Sequence, residues 1–406
     1  MNIPKLRFKE FTDEWKEYPL KYFTTPIKRK NTNNESDLPL TISSLDGLVD
    51  QRTYFNKVVA SKDMSNYYLL KKGEFAYNKS YSVGFPFGSI KRLDKYNQGA
   101  LSSLYICFQV NNMNSDFIVK YFESPKWHKQ ISLCVAEGAR NHGLLNVNIN
   151  DFFSTKHFLP QLVEQEKIAK FINTVDKKIE NIENTISSLE NQKKGLLQQI
   201  FSQKLRFKDE NGNNYPNWKE NIESIKILSG NMYPTTSYIN KPGILLIQGI
   251  NITPNKLLLN DCIYISNDYN EINHVIVKKG DILLGLNRPL INNQLKICLF
   301  DKDFAYLYQR AGILSFNKLK INSLFLYQYL QTDSFKKHLQ VELVGSDQPY
   351  IKSNIFNKIK LIFPCLEEQT KIADFLSAFD RKLENQKTQL EHWQQIKKGL
   401  LQQMFV

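Results

Sequence analysis

Residues 160–201 of this chain return as residues 364–405, without a gap, at the single offset of 204, and 20 of the 42 positions are identical. "EQEKIAKFINTVDKKIEN" faces "EQTKIADFLSAFDRKLEN", and the heptapeptide "KKGLLQQ" at Lys193–Gln199 recurs letter for letter at Lys397–Gln403. The first copy runs on into "QKLRFKDENGNNYPNWKE", which resembles the chain's opening, "PKLRFKEFTDEWKE". A repeat of about half the chain constrains the fold more than any local signal, because whatever environment one copy needs the other needs too.

The repeated segment reads as a helix. Ile168, Ile172, Val175, Ile179, Ile182, Ile186, Leu189, Lys193, Leu196 and Ile200 are spaced alternately four and three apart, a heptad seam with one polar break. The second copy keeps the register through Ile372, Leu376, Phe379, Leu383, Gln386, Leu390, Trp393, Lys397, Leu400 and Met404. Pro160 and Pro364 suit a helix start, since proline is tolerated in the first turn. A narrow apolar stripe on a long helix needs a partner, and the economical partner is the other copy. In a chain ordered block, helix, block, helix, a pseudo-two-fold axis makes the pair antiparallel. The lysine shared by both seams either fixes register or marks a fraying end where it snorkels.

A second apolar edge runs beside the seam: Leu162, Val163, Phe171, Leu197 and Phe201 in one copy, Leu366, Phe375, Leu401 and Phe405 in the other. A wider stripe than one partner covers points to further subunits docking on the coil.

Charge is distributed unevenly. The chain carries a net charge of +14. Residues 20–159 hold 18 basic and 11 acidic residues, and residues 221–363 hold 16 and 10. Each repeat holds six of each sign. The positive excess therefore sits on two separate blocks, which points to two polyanion-binding surfaces rather than one. The five cysteines are scattered without metal or redox spacing, the pattern of reduced cytosolic thiols. The start has no signal-peptide pattern, and no apolar run is long enough to span a membrane.

The blocks share a skeleton but not a sequence. "YLLKKGEFAYNKS" (68–80) parallels "VIVKKGDILLGLNRP" (275–289): strand, KKG-acid turn, second strand, polar loop. "NSDFIVKYFES" (114–124) parallels "NSLFLYQYLQT" (322–332), each a capped helix with an aromatic face. Mixed α/β domains are expected. Similar skeletons with different loops are what two readers of different targets show. The candidate DNA-facing residues are Lys79, Tyr81, Lys91, Arg92, Arg140, Asn141 and His142 in the first block, and Asn287, Arg288, Arg310, Gln348 and Tyr350 in the second. Arg, Asn and Gln can bond two atoms of one base edge, while Lys neutralises phosphate.

Catalytic patterns are missing from the sequence. No Asn-Pro-Pro-aromatic motif, no glycine-rich nucleotide or methyl-donor loop and no GxxxxGK phosphate loop occurs. The Glu14-Trp15-Lys16 triplet becomes Asn217-Trp218-Lys219 in the repeat, so its acid is not kept; it reads as a surface turn around a docking tryptophan. No catalytic residue and no metal ligand is expected.

The repeated "EQxKIAxF" helices ending in "KKGLLQQ", the "PKLRFxxF…W" opening, and the two dissimilar blocks with a shared KKG-acid turn resemble the DNA-specificity subunit of a type I restriction–modification enzyme. The resemblance spans the chain. It implies an α+β architecture: two mixed α/β target-recognition domains joined by two long antiparallel coiled-coil helices, pseudo-two-fold and circular in organisation. The expected layout is an N-terminal segment 1–19, a first recognition domain 20–159, a spacer helix 160–201, a connector 202–220, a second recognition domain 221–363 and a second spacer helix 364–406. It implies a bipartite site in double-stranded DNA, one half per block. It also implies two modification (methyltransferase) subunits docked on the helices and restriction (endonuclease/translocase) subunits joining them in the cytoplasm. S-adenosylmethionine, ATP and Mg would act on those partners and no cofactor on this chain. The competing readings are a self-sufficient DNA methyltransferase or nuclease, and a coiled-coil scaffold that binds no nucleic acid.

Overall fold

The structure is a computed structural model that describes residues 2–57, 59–135, 145–240, 243–260, 262–269 and 273–406. The chain forms two compact units, Met1–Asn184 with Thr388–Val406, and Thr185–Lys387. Each contains one block, the N-terminal part of one long helix and the C-terminal part of the other.

The long helices span Leu162–Phe201 and Leu366–Gln403. Both begin two residues after the expected proline. Pro160 and Pro364 stand ahead of the first turn, where their carbonyls accept hydrogen bonds from Gln165 Nε2 (2.9 Å) and Gln369 Nε2 (3.0 Å). The same glutamines accept, through Oε1, the backbone N–H of Asn114 and Asn322, each at 2.9 Å. Those asparagines cap the short helices Ser115–Glu123 and Ser323–Tyr329. One repeated glutamine thus ties the start of a long helix to the cap of the block's own helix, once per unit.

The preceding glutamate does the same for the LRFK segments. Glu164 receives both Nε and Nη2 of Arg7 at 2.8 Å and the indole N–H of Trp15 at 3.3 Å. Glu368 receives Arg206 at 2.7 and 2.8 Å and Trp218 at 3.2 Å. A buried carboxylate is tolerated where a forked guanidinium satisfies it. The circular arrangement follows directly: the N-terminal segment does for the first unit what the connector does for the second. Leu6 N–H also donates to Gln403 O at 2.9 Å, joining the chain's two ends.

Each block is built on a matching pair of four-strand arrays. In the first unit the orders are Thr24–Pro26, Ile106–Val110, Phe75–Asn78, Ser89–Arg92, and Gly47–Asp50, Pro39–Ser43, Gln98–Leu101, Tyr68–Lys71. In the second they are Lys226–Ser229, Ala311–Ser315, Ile282–Gly285, Ile297–Leu299, and Ile263–Ile265, Ile244–Ile247, Phe304–Leu307, Ile276–Lys278, with Tyr238–Ile239 added at one edge. Both second arrays contain one parallel pair, with Pro39 opposite Ala100 and Leu246 opposite Tyr306. The central strand alternates between two cores, as a period of two requires. Phe75 and Tyr77 face the core that includes the helices, and Ala76 faces the other. Ile282 and Leu284 repeat the first role, and Leu283 the second.

The KKG-acid turn is the same object twice. Gly73 and Gly280 both sit at φ +87°, which side chains rarely adopt. Glu74 accepts Lys71 N–H at 2.6 Å, and Asp281 accepts Lys278 N–H at 2.8 Å.

Within each unit the helices pair antiparallel. In the first, Ile168, Ala169 and Ile172 share a core with Leu401, Met404 and Phe405. In the second, Ile372, Ala373 and Leu376 share one with Ile200. The seam lysines are clasps rather than frayed ends. Lys193 Nζ lies 2.5 Å from Asp380 Oδ1, and Lys397 Nζ lies 2.7 Å from Asp176 Oδ1.

Candidate nucleic-acid interface

In the second unit the strand Ile282–Gly285 continues into Leu286–Pro289, and neighbouring segments hold this extension on both sides. Leu286 N–H donates to Arg310 O at 3.0 Å, and Ile351 N–H donates to Leu286 O at 2.9 Å. Arg288 N–H donates to Pro349 O at 2.7 Å, and Asn287 bridges to Tyr350. These backbone bonds bring the segments that carry Asn287 and Arg288, Arg310, and Gln348 and Tyr350 alongside one another. Arg288, Arg310, Gln348 and Tyr350 are exposed there.

The backbone beneath them is strained. Arg288 has φ +44° and Arg310 φ +67°. Left-handed conformations are uncommon for side-chain-bearing residues and persist where the surroundings over-determine them, commonly at functional sites. Gly249 explains part of this: a Cβ there would stand 2.6 Å from Arg310 O, so the turn after Ile244–Ile247 closes on Arg310 only as glycine.

Two features of this face escaped the sequence reading. Lys296 is buried and its amine reaches Asn287 O at 3.3 Å, supporting the strand extension; burial pushes its pKa below the usual lysine range. Leu290–Ile291 and Gln294–Leu295 form a tight hairpin whose tip, Asn292–Asn293, has φ of +48° and +60°. That is the geometry of a two-residue hairpin turn, and "LINNQL" was its signal.

The first unit repeats the scheme with different groups. Phe75–Asn78 runs out into Lys79, whose carbonyl accepts Leu145 N–H at 2.9 Å. The loop continues through exposed Tyr81 to a two-residue turn, Val83–Gly84, closed by reciprocal backbone bonds between Ser82 and Phe85. Arg140, Asn141 and His142 lie outside the described residues.

Two candidates of the first block are engaged within the unit. Arg92 is held by Asp94 at 2.7 Å, Asp116 at 2.8 Å and Ser115 Oγ at 2.9 Å, so its charge anchors the helix Ser115–Glu123 to the sheet. Lys91 is half-buried, with its amine 5.8 Å from the Phe85 ring, and burial lowers its pKa. A cation covered in this way is poorly placed to neutralise phosphate.

The apolar helix edge divides. Leu162, Val163 and Phe171 are exposed, although Phe171 meets the Phe8 ring edge-on at 5.8 Å. Leu366 and Phe375 are half-buried, Phe375 against Phe207. The remaining four pack inward. Leu401 and Phe405 are buried in the first unit, Phe405 among Trp15, Phe117 and Tyr121. Leu197 and Phe201 pack on the second core, Phe201 against Trp218, Phe325 and Tyr329. The antiparallel pairing brings each helix's C-terminal turns onto a block, so the second apolar edge there is covered by the chain's own aromatic core.

Among the described residues no group of three or more His, Cys, Asp or Glu is placed to hold a metal ion, and no helix is long and apolar enough to cross a membrane.

Comparison with known proteins accounts for this architecture. Residues 208–392 match the type I restriction modification DNA specificity domain. The type I restriction enzyme MjaVIII specificity subunit of Methanocaldococcus jannaschii is 30% identical over 315 residues, covering 75% of this chain and 73% of the relative. The putative MjaX specificity subunit of the same organism is 25% identical over 429 residues, covering 98% and 95%. Among solved structures, the type I restriction–modification S subunit from M. genitalium shares the fold, with a TM-score of 0.58 over 100% of this chain and 99% of that one at 16% identity. A chain from a study of assembly in the type I restriction–modification system gives 0.53 over 96% and 97% at 15% identity. The chain belongs to the specificity subunits of type I restriction enzymes.

Proposed function

We propose that this chain is the DNA-reading and assembly subunit of a type I restriction–modification complex and performs no chemistry itself. Each unit reads one half of a bipartite site in double-stranded DNA, and the length of coil between the units sets the number of base pairs between the halves. Two modification subunits dock on the long helices along the exposed edge at Leu162 and Phe171, and restriction subunits join them. S-adenosylmethionine, ATP and Mg act on those partners, in the cytoplasm.

One observation carries the reading. Five polar residues, Asn287, Arg288, Arg310, Gln348 and Tyr350, come from three separate segments held together by backbone bonds, with Arg288 and Arg310 on strained backbone. The corresponding strand end in the first unit leads into Lys79 and Tyr81, which take the same part there.

The test compares the purified chain, alone and with its modification subunits, on duplexes carrying and lacking the methylated site. Binding is expected to weaken steeply with salt as contacted phosphates recover their counterions. Arg310→Ala and Arg288→Ala are expected to relax base preference in one half-site only, by about 1–3 kcal/mol each. Methyl transfer from a labelled donor by the chain alone would overturn the non-catalytic role.

A further inference from the structure

Among the exposed aliphatic side chains of the first unit, two stand together on neighbouring turns. Leu45 is 84% exposed and Val83 is 91% exposed. Both stand at the tips of tight turns, and the two turns are stapled together: Ser44 Oγ lies 3.1 Å from Ser82 Oγ and 3.2 Å from Ser89 Oγ. The Leu45 turn is closed further by Ser43 and Asp46, whose side chains bond at 2.7 Å. The hydroxyl-linked turns thus hold two bare aliphatic groups side by side in water, where their exposure stabilises nothing in the isolated unit.

The second unit has the same device at the matching place. The turn that follows Ile244–Ile247, the counterpart of Pro39–Ser43, carries Ile250 at 76% exposure. Asn251 closes it by accepting Gln248 N–H at 2.8 Å, whereas Asp46 in the first turn accepts the Ser43 hydroxyl. This turn sits against Arg310 through Gly249. The aliphatic tip is therefore carried by the turn that packs on Arg310 of the candidate interface, in a block whose sequence otherwise differs from the first.

We infer that Leu45 with Val83 in the first unit, and Ile250 in the second, read thymine by contact with its C5 methyl group in the major groove. The inference rests on the DNA-reading role proposed above. The major groove offers one apolar group to such a side chain, the thymine methyl, and it distinguishes A·T from G·C without a hydrogen bond. A rigid turn loses little conformational freedom on making this contact. Each half of the recognised site must then contain a thymine on one strand, set beside the bases that the polar residues of the same unit contact.

The experiment uses the full chain assembled with its modification subunits. The site is first defined from a genome-wide map of methylated adenines made with and without this subunit. Duplexes are then prepared in which single thymines are replaced by deoxyuridine, which lacks only the methyl. Wild type is expected to lose roughly fourfold in affinity for each contacted methyl removed, the effect of one buried methylene. The double variant Leu45→Ala, Val83→Ala is expected to bind thymine and uracil equally in one half-site, and Ile250→Ala in the other. All three substitutions are at exposed positions and should leave the melting midpoint unchanged. Full uracil sensitivity in the variants, indifference of wild type to uracil throughout, or a half-site made of G·C pairs alone would overturn the proposal. Loss of modification-subunit assembly with methyl discrimination intact would assign the tips to a protein partner and overturn it as well. A wild-type assembly that binds no duplex would instead remove the DNA-reading role itself.

Discussion

Lys193 Nζ meets Asp380 Oδ1 at 2.5 Å, and the same two positions 204 residues displaced and exchanged, Lys397 and Asp176, meet at 2.7 Å. The lysine of each copy of the repeat grips the aspartate of the other. A seam lysine is poor coiled-coil packing unless it finds a carboxylate, and only the antiparallel register supplies one at both places. The block helix completes each clasp: Lys120 reaches Asp176 Oδ2 at 2.6 Å, and Gln328 reaches Asp380 Oδ2 at 2.6 Å.

The clasps differ in charge, and this yields a graded prediction. Burial would raise the Asp176 pKa, but hydrogen bonds from Lys120 and Lys397 outweigh it and the carboxyl is held below its usual range. Removing Asp176 leaves Lys120 and Lys397 to share Glu123 alone, at 3.7 and 3.0 Å, whereas removing the more exposed Asp380 leaves one lysine and a neutral amide. Asp176→Ala should cost about 2–3 kcal/mol and Asp380→Ala about 1 kcal/mol. Denaturant midpoints of the two variants check this. Equal losses would mean that the second cation on Asp176 contributes nothing.

The penultimate residue should be among the most sensitive in the first unit. Phe405 is buried and packs edge-on or tilted among Trp15, Phe117 and Tyr121 at centroid distances of 6.3, 5.4 and 6.0 Å. Its side chain closes the core of that unit. Phe405→Ala should cost about 3–5 kcal/mol. Hydrogen exchange should show lost protection within residues 1–184 and none within 185–387. Uniform loss across the chain, or no loss, would contradict this role.

Much of this was legible before any coordinates. The offset of 204 made one helix diagnose the other, and the order of elements then required antiparallel pairing. The KKG-acid turn was visible because its glycine and carboxylate are demanded locally, by φ and by an N–H three residues back. The fate of Phe201 and Phe405 was not legible, since an apolar flank looks the same whether a second subunit or the chain's own block covers it. The ion pairs of Arg92 were hidden for a similar reason: its partner Asp116 is brought to it by the fold, and spacing does not reveal that. That the segments carrying Arg288, Arg310 and Gln348 lie alongside one another depends on which parts of the chain are neighbours, which a sequence without alignment leaves open.

Acid should weaken the first unit through one histidine. His157 is buried, with Tyr121 Oη 2.8 Å from Nδ1 and Thr155 Oγ1 2.8 Å from Nε2. Thr155 gives its own hydroxyl proton to Phe152 O at 2.7 Å, so it accepts from Nε2–H and leaves Nδ1 as the acceptor from Tyr121. Burial pushes the imidazole down to about 3, against an ordinary value near 6.5. The unfolded chain therefore binds a proton that the folded one refuses between those values. Stability from this group is complete above about pH 6.5 and is lost progressively as pH falls toward 3. From pH 7.5 to 5.0 the loss should be about 2 kcal/mol. His157→Gln keeps a polar partner for Tyr121 or Thr155 but cannot titrate. It should be less stable than wild type at pH 7.5 yet lose about 2 kcal/mol less on the way to pH 5.0. If denaturation at the two pH values shows the same loss with and without the histidine, the acid sensitivity belongs to other groups.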